Sequence, residues 1–209
     1  LEKKIKKLQT DKDGNLIILY AQNKDEQYTF IESAKEKGYE VLLLDSPIIP
    51  HLMQKLESKK EKIKFSRVDS DTLENLIKKD EEVISKLTDE EKEKLKPMIE
   101  TAVENEKYTV QLEALDSNSM PFMLAQPEFM RRMKEMQQTG GGAMGNLPEM
   151  YSLIVNTNHE LVGKILNTRT EKKRNSLIKQ SIDLAKLSQN NLTGKDLTEF
   201  INRSIDLIK

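Results

Sequence analysis

The 209-residue sequence predicts an α+β protein: a small three-layer α/β subdomain with a short parallel sheet, followed by a mixed α/β domain ending in a helical hairpin. Three observations carry this. Within the first 70 residues, apolar runs without polar alternation are interleaved with helical spacings, the pattern of strands covered on both faces and joined by crossover helices. After Ser70 the period changes to mostly helical spacing with short alternating stretches. The last 38 residues hold two long amphipathic patterns separated by a short polar connection.

Leu16 to Tyr20 follows the turn signal Asp13-Gly14 and reads as a buried strand. Asp25 to Lys37 carries Tyr28, Phe30, Ile31 and Ala34 at helical spacing and is stopped by Gly38. Val41 to Leu44 is a second apolar strand, ended by Asp45-Ser46-Pro47. Ile48 to Leu56 reads as a helix with Leu52, Met53 and Leu56 inward, and Ile63 to Val68 as the third strand. Beyond Ser70, Leu73, Leu76 and Ile77 form one helical face and Val83, Ile84 and Leu87 another. Thr88-Asp89-Glu90-Glu91 is a capping signature for a helix carrying Leu95, Met98, Ile99 and Val103, in which Pro97 marks either a kink or the true start. Tyr108 to Leu115 alternates as a half-buried strand, with Met120 to Ala125 as its expected partner, and Tyr151 to Val155 is a further strand. Asn158 to Asn167 reads as a helix. The closing pair is Lys172 to Leu187 and Asp196 to Ile208, the latter capped by Thr193. The predicted division is 1–70 for the α/β unit and 71–209 for the second domain.

Composition narrows function. Acidic and basic residues number 35 and 34, leaving a net charge of −1, so no general attraction to nucleic acid or anionic lipid is expected. With no cysteine there is no disulfide or thiolate chemistry, which suits a reducing cytoplasm. No apolar run approaches the roughly 20 residues needed to cross a bilayer. The chain begins at Leu1 inside a helical pattern and is expected to be a piece of a longer protein.

Seven of the nine methionines fall between Met120 and Met150, and Phe129, Met130, Met133 and Met136 recur at helical spacing beside Arg131, Arg132, Lys134 and Glu135. Such a thioether face can fill an irregular core or mould itself to varied apolar partners. Gly140, Gly141, Gly142 and Gly145 follow directly and favour the second role, because a helix on a glycine tether is expected to be mobile. The closing hairpin carries Leu177, Ile178, Ile182, Leu184, Leu197, Phe200, Ile201, Ile205 and Ile208. A lone hairpin buries little, so its stripe is better covered by a second copy in a four-helix bundle.

Catalytic signatures are sparse. Neither a P-loop nor a dinucleotide-binding glycine pattern is present, and the glycine run follows a helix rather than a strand. His51 and His159 have no His or Cys nearby to complete a metal site, and His159 reads as a helix cap. Asp45 and Asp69 stand at the carboxyl ends of the second and third strands, where doubly wound sheets place their sites. An alternative reading is therefore an enzyme performing Mg²⁺-dependent phosphoryl transfer; another is a purely structural dimerisation module.

Several segments, in order, carry a resemblance. Lys37 to Ile48, Phe65-Ser66-Arg67-Val68-Asp69, Leu115-Asp116-Ser117, the helix Pro127 to Gln138, Tyr151 to Val162 with Asn156, His159, Leu161 and Val162, and the final hairpin together resemble the Hsp90 family of molecular chaperones in its bacterial form. The resemblance implies a piece of an ATP-driven chaperone: 1–70 as the last α/β subdomain of the middle domain and 71–209 as the C-terminal dimerisation domain. Within the latter, 127–145 would be the amphipathic helix and its loop, and 171–208 the dimerisation helices. It implies a cytoplasmic homodimer acting on non-native client proteins, with client contacts on Phe129, Met130, Met133 and Met136. ATP and Mg²⁺ would be cofactors of the longer protein and not of this piece, which is expected to lack enzymatic activity and to use no cofactor of its own.

Overall fold

A computed structural model describes residues 2–80, 83–103, 108–140 and 150–208. The elements are α1 (Glu2–Ile5), β1 (Leu16–Ala21), α2 (Tyr28–Glu36), β2 (Val41–Leu43), α3 (Ile49–Lys59), β3 (Ile63–Arg67), α4 (Leu73–Leu76), α5 (Asp89–Val103), β4 (Tyr108–Glu113), β5 (Phe122–Ala125), α6 (Glu128–Gly140), β6 (Tyr151–Asn156), α7 (Glu160–Asn167), α8 (Glu171–Ser188) and α9 (Gly194–Ile208). They group into two compact units, Leu1–Glu82 with Gln126–Glu149, and Val83–Ala125 with Met150–Lys209. The α+β class read from the sequence is the one observed. Most of the predicted glycine tether, Gly141, Gly142 and Gly145, lies outside the described residues.

The first unit is built on a parallel sheet of order β2-β1-β3, with Leu19 beside Val41 and Ile18 beside Phe65. As the central strand, β1 is buried from Ile17 to Ala21, which is why its run lacks polar alternation. The first crossover runs from β1 to β2 and the second from β2 back across β1 to β3, in the opposite direction, so right-handed connections place α2 and α3 on opposite faces. Ile18, Tyr20, Ile63 and Phe65 pack with Met53 of α3 and Ile5 of α1, while α2 buries Phe30, Ile31 and Ala34. Gly38, at φ 76°, ends α2, and the Tyr39 amide reaches back to the Ala34 carbonyl. Expected cover on both faces fails at β2. It is an edge strand of three residues, and Leu43 is 56% exposed.

The second unit carries the sheet β4-β6-β5, in which β6 is parallel to β4 and antiparallel to β5. This corrects the expectation that Met120 to Ala125 partners Tyr108 to Leu115: β6 lies between them, buried from Leu153 to Asn156. The core joins Val110, Phe122, Leu124, Leu153 and Val155 of the sheet to Leu95 and Ile99 of α5, Val162 and Ile165 of α7, and Ile178, Ile182 and Ala185 of α8. Each Val, Leu, Ile or Phe side chain fully sequestered there contributes about 1.5–3 kcal/mol. The capping box at α5 forms as predicted: the Glu91 amide donates to Thr88 Oγ1 at 3.3 Å, and the Thr88 amide donates to Glu91 Oε2 at 2.9 Å. Pro97 lies inside α5, so it does not start the helix. His159 caps α7, its Nδ1 accepting from the Leu161 amide at 3.0 Å.

The helix expected over Val83, Ile84 and Leu87 is absent, and Ile84 is 86% exposed. Asn158 accounts for the difference. Its Oδ1 accepts from the Lys86 amide at 2.6 Å, and its Nδ2 donates to the carbonyls of Ile84 and Leu115, both at 3.0 Å. Backbone groups that a helix would pair internally are satisfied instead by a side chain more than 70 residues away in the sequence. Asn156 completes the latch, accepting from the amides of Leu115 and Asn158 and donating to the Asp116 carbonyl.

Candidate functional site

Helix α6 opens behind Pro127, whose carbonyl accepts the Arg131 amide, and places Glu128 in its first turn, where the helix dipole favours an anion. At about 100° per residue, Phe129, Met133 and Met136 fall within about 60° of one another, with Met130 alongside, whereas Glu128, Arg131 and Arg132 occupy a different arc. An ordinary surface helix buries its apolar arc and solvates the charged one. In α6 the root of the helix does the reverse: Phe129 is 70% exposed, whereas Arg131 is 3% exposed. Met130, Met133 and Met136 are half-buried.

The charged arc is seated on the carboxyl end of the first sheet. Glu128 Oε1 accepts from the Tyr20 hydroxyl at 2.8 Å, from Arg131 at 2.6 Å and from Arg132 Nε at 2.7 Å, and Glu128 Oε2 accepts from the Arg67 amide at 3.3 Å. Arg131 also donates to the Tyr20 hydroxyl and stacks over its ring, 5.6 Å from the centroid. Arg132 forks onto Glu57 at 2.7 and 3.3 Å and donates to the Phe65 carbonyl at 2.6 Å, while Glu57 accepts the Phe65 amide at 2.7 Å. Tyr20 has no measurable exposure.

Burial alone would raise the Glu128 carboxyl, but Arg131 and Arg132 beside it, with hydrogen bonds from Tyr20 and Arg132, outweigh burial and hold it below the ordinary carboxylate range. Burial, and then the adjacent Glu128 charge, push the Tyr20 hydroxyl up, keeping it neutral. None of these groups was singled out as functional by sequence reasoning. The available signal was Tyr20 itself, a phenol within an otherwise apolar central strand, which needs a buried partner. The Glu128, Arg131 and Arg132 spacing is read as readily as an exposed helix face.

The other predicted residues divide by burial. Ile178 and Ile182, 0% and 4% exposed, lie in the second unit's own core, and Leu177 packs against it. Leu184, Ile201, Ile205 and Ile208 are 48%, 48%, 47% and 86% exposed, with Leu187 also exposed, and Leu197 and Phe200 are half-buried. No described residue of α9 is fully buried, although Leu197, Phe200, Ile201, Ile205 and Ile208 share one face. The α8–α9 pair is held by polar contacts: Arg203 to Asp183 and Gln180, Gln180 to Ser204, and Lys179 to Glu199. Its connection turns through Asn190 and Gly194, both at positive φ.

Asp69 is buried and accepts from Arg67 Nε at 2.5 Å, whereas Asp45 is exposed beside the opposite edge strand. His51 is an exposed residue of α3. Among the described residues, no group of three or more His, Cys, Asp or Glu could hold a metal ion, and no helix is long and apolar enough to cross a membrane.

Residues 5–206 match the Hsp90 protein family, and the chain belongs to that family. It is similar to the chaperone protein HtpG of Bacteroides thetaiotaomicron, at 35% identity over 98% of this chain and 40% of the relative. It is likewise similar to HtpG of Porphyromonas gingivalis, at 40% identity over 86% of this chain and 27% of the relative, and to HtpG of Wolinella succinogenes, at 28% identity over 92% and 31%. The chain thus spans two-fifths or less of the length of these relatives.

Proposed function

We propose that this chain is the homodimerising, client-holding portion of an ATP-driven cytoplasmic chaperone. Residues 1–70 serve as the last subdomain of a middle domain and 71–209 as the C-terminal domain, and ATP and Mg²⁺ act on parts of the longer protein that this chain does not match. The portion itself needs no cofactor and performs no hydrolysis. Two copies join through the exposed stripe Leu184, Leu187, Ile201, Ile205 and Ile208, with Leu197 and Phe200 at its margin. Non-native proteins bury apolar side chains against Phe129, Met130, Met133 and Met136, gaining about 25 cal/mol per Å² with little demand on shape. Two such faces in one dimer raise the effective concentration of each weak contact.

The observation that carries this reading is the inverted burial of α6, with Phe129 outward and Arg131 inward. A helix that needed only to complete a core would turn the other way. The test replaces Phe129, Met133 and Met136 together by Ser and measures suppression of aggregation of an unfolded protein, with the oligomeric state followed in parallel. Suppression is expected to fall several-fold while the dimer persists. Unchanged suppression with an intact dimer would leave only a dimerisation module.

A further inference from the structure

The reading above leaves open what keeps Phe129 exposed, and the methionines beside it only half-buried, on an amphipathic helix. Ordinarily such a helix rolls until its apolar arc meets a core, because burying Phe and Met side chains is favourable wherever a partner surface exists. The contacts at the root of α6 oppose that roll. Glu128, the first residue of the helix, accepts from Tyr20, Arg131 and Arg132 on one oxygen and from the Arg67 amide on the other. One turn on, Arg132 bridges to Glu57 of α3 and to the Phe65 carbonyl of β3. Three elements of the sheet layer, β1, β3 and α3, thus hold two successive points along one side of α6, which fixes rotation about its axis as well as position. Rolling the helix would strip the buried Arg131 and the mostly buried Glu128 and Arg132 of their partners, a costly change for groups largely withdrawn from water. A fork of guanidinium on carboxylate also demands a particular orientation, which an apolar contact does not.

We propose that Tyr20, Glu57, Glu128, Arg131 and Arg132 form a charged mount whose role is to set the rotation of α6, so that Phe129, Met133 and Met136 stay presented. These are positioning residues for client contact, and the inference rests on the client reading given above. Tyr20 anchors the mount: its hydroxyl is held by Glu128 and Arg131, and its ring lies under Arg131. The mount therefore draws on β1, the strand at the centre of the first sheet, rather than on a loop.

The experiment uses the full chain and two readouts. Hydrogen exchange of the amides of residues 129–136, compared with those of β1, reports the mount; suppression of aggregation of an unfolded protein reports its use. Glu128→Gln keeps the shape and removes the charge, and is expected to speed exchange in α6 about ten-fold or more, with β1 unchanged, and to lower suppression several-fold. Should that variant unfold the unit, speeding β1 and α6 alike, Tyr20→Phe removes a single hydroxyl and is expected to speed α6 alone about three-fold. Exchange in α6 unchanged in either folded variant overturns the mount. Faster exchange with unaltered suppression, in a protein whose Phe129, Met133 and Met136 to Ser variant does lose suppression, overturns the positioning role and leaves the client reading standing. If the serine variant keeps full suppression while Glu128→Gln speeds α6, the client reading fails and the mount survives as a purely structural device.

Discussion

Ile201→Ser with Ile205→Ser probes the exposed stripe of α9 most directly, because the two side chains are 48% and 47% exposed in the single chain and so together present about one whole isoleucine to solvent. If a second copy covers them, burial of that surface contributes about 1.5–3 kcal/mol per protomer, and the two-fold axis doubles it to roughly 3–6 kcal/mol per dimer. At about 1.4 kcal/mol per decade, the dissociation constant is expected to rise by roughly 10² to 10⁴. The serine hydroxyls, having no partner in the interface, push in the same direction. Folding of the protomer should barely change, since surface substitutions usually stay within about 0.5 kcal/mol. Sedimentation equilibrium over a wide concentration range measures the dissociation constant, and a thermal melt of dilute protein checks the protomer. A dissociation constant within ten-fold of the wild type would refute the assignment of this stripe to the dimer. So would a wild-type chain that stays monomeric at micromolar concentration.

Two further outcomes follow from the polar networks. Asn158→Ala removes three side-chain hydrogen bonds and leaves the buried Leu115 carbonyl without that donor; at about 0.5–1.5 kcal/mol per bond, urea unfolding of the second unit should show a loss of roughly 2–4 kcal/mol, and a loss under about 1 kcal/mol would show the latch to be incidental. The Glu128 carboxyl, faced by Tyr20, Arg131, Arg132 and the Arg67 amide with Glu57 beyond Arg132, is held below its ordinary value. The stability it gives is therefore fully present above the unfolded carboxylate pKa of about 4.3 and lost as the pH falls through the lower folded value. Protection of the α6 amides should accordingly be flat from pH 7 to about pH 5 and weaken only in more acidic buffer, and Glu128→Gln should abolish that acid dependence. A decline beginning near neutrality would assign the titration to a different group.

Local pattern was legible where local physics decides. An unbroken apolar run marked β1 because a strand buried on two faces has no polar side to show, and alternation marked β3, where Ile63 and Phe65 are buried and Lys64 is exposed. Thr88 and Glu91 announced a helix start because a capping box is complete within four residues. Failures came where a distant partner decides. Val83, Ile84 and Leu87 have helical spacing, yet Asn158 claims the backbone of that segment. The mispairing of β5 arose because β6, which separates it from β4, enters about 25 residues later in the chain. Charges on α6 look alike on paper whether they face water or Tyr20, so the spacing identified an apolar arc but not which arc would be buried. Likewise, Ile178 and Ile201 share a hairpin and a hydrophobic character, and only the tertiary structure separates the one that packs at home from the one left outward.

The manner in which α6 is attached has a bearing on how such a surface can be used repeatedly. An oily visitor competes for oily surface, and a platform held down by greasy contacts risks being prised up by the very molecules it receives. On the proposed client reading, the foothold of α6 is ionic and the landing area is not, so saturating the one leaves the other untouched. Detergents and sticky polypeptides should crowd the thioether side without loosening the helix, whereas guanidinium, which mimics the arginine fork, should undo the anchorage first.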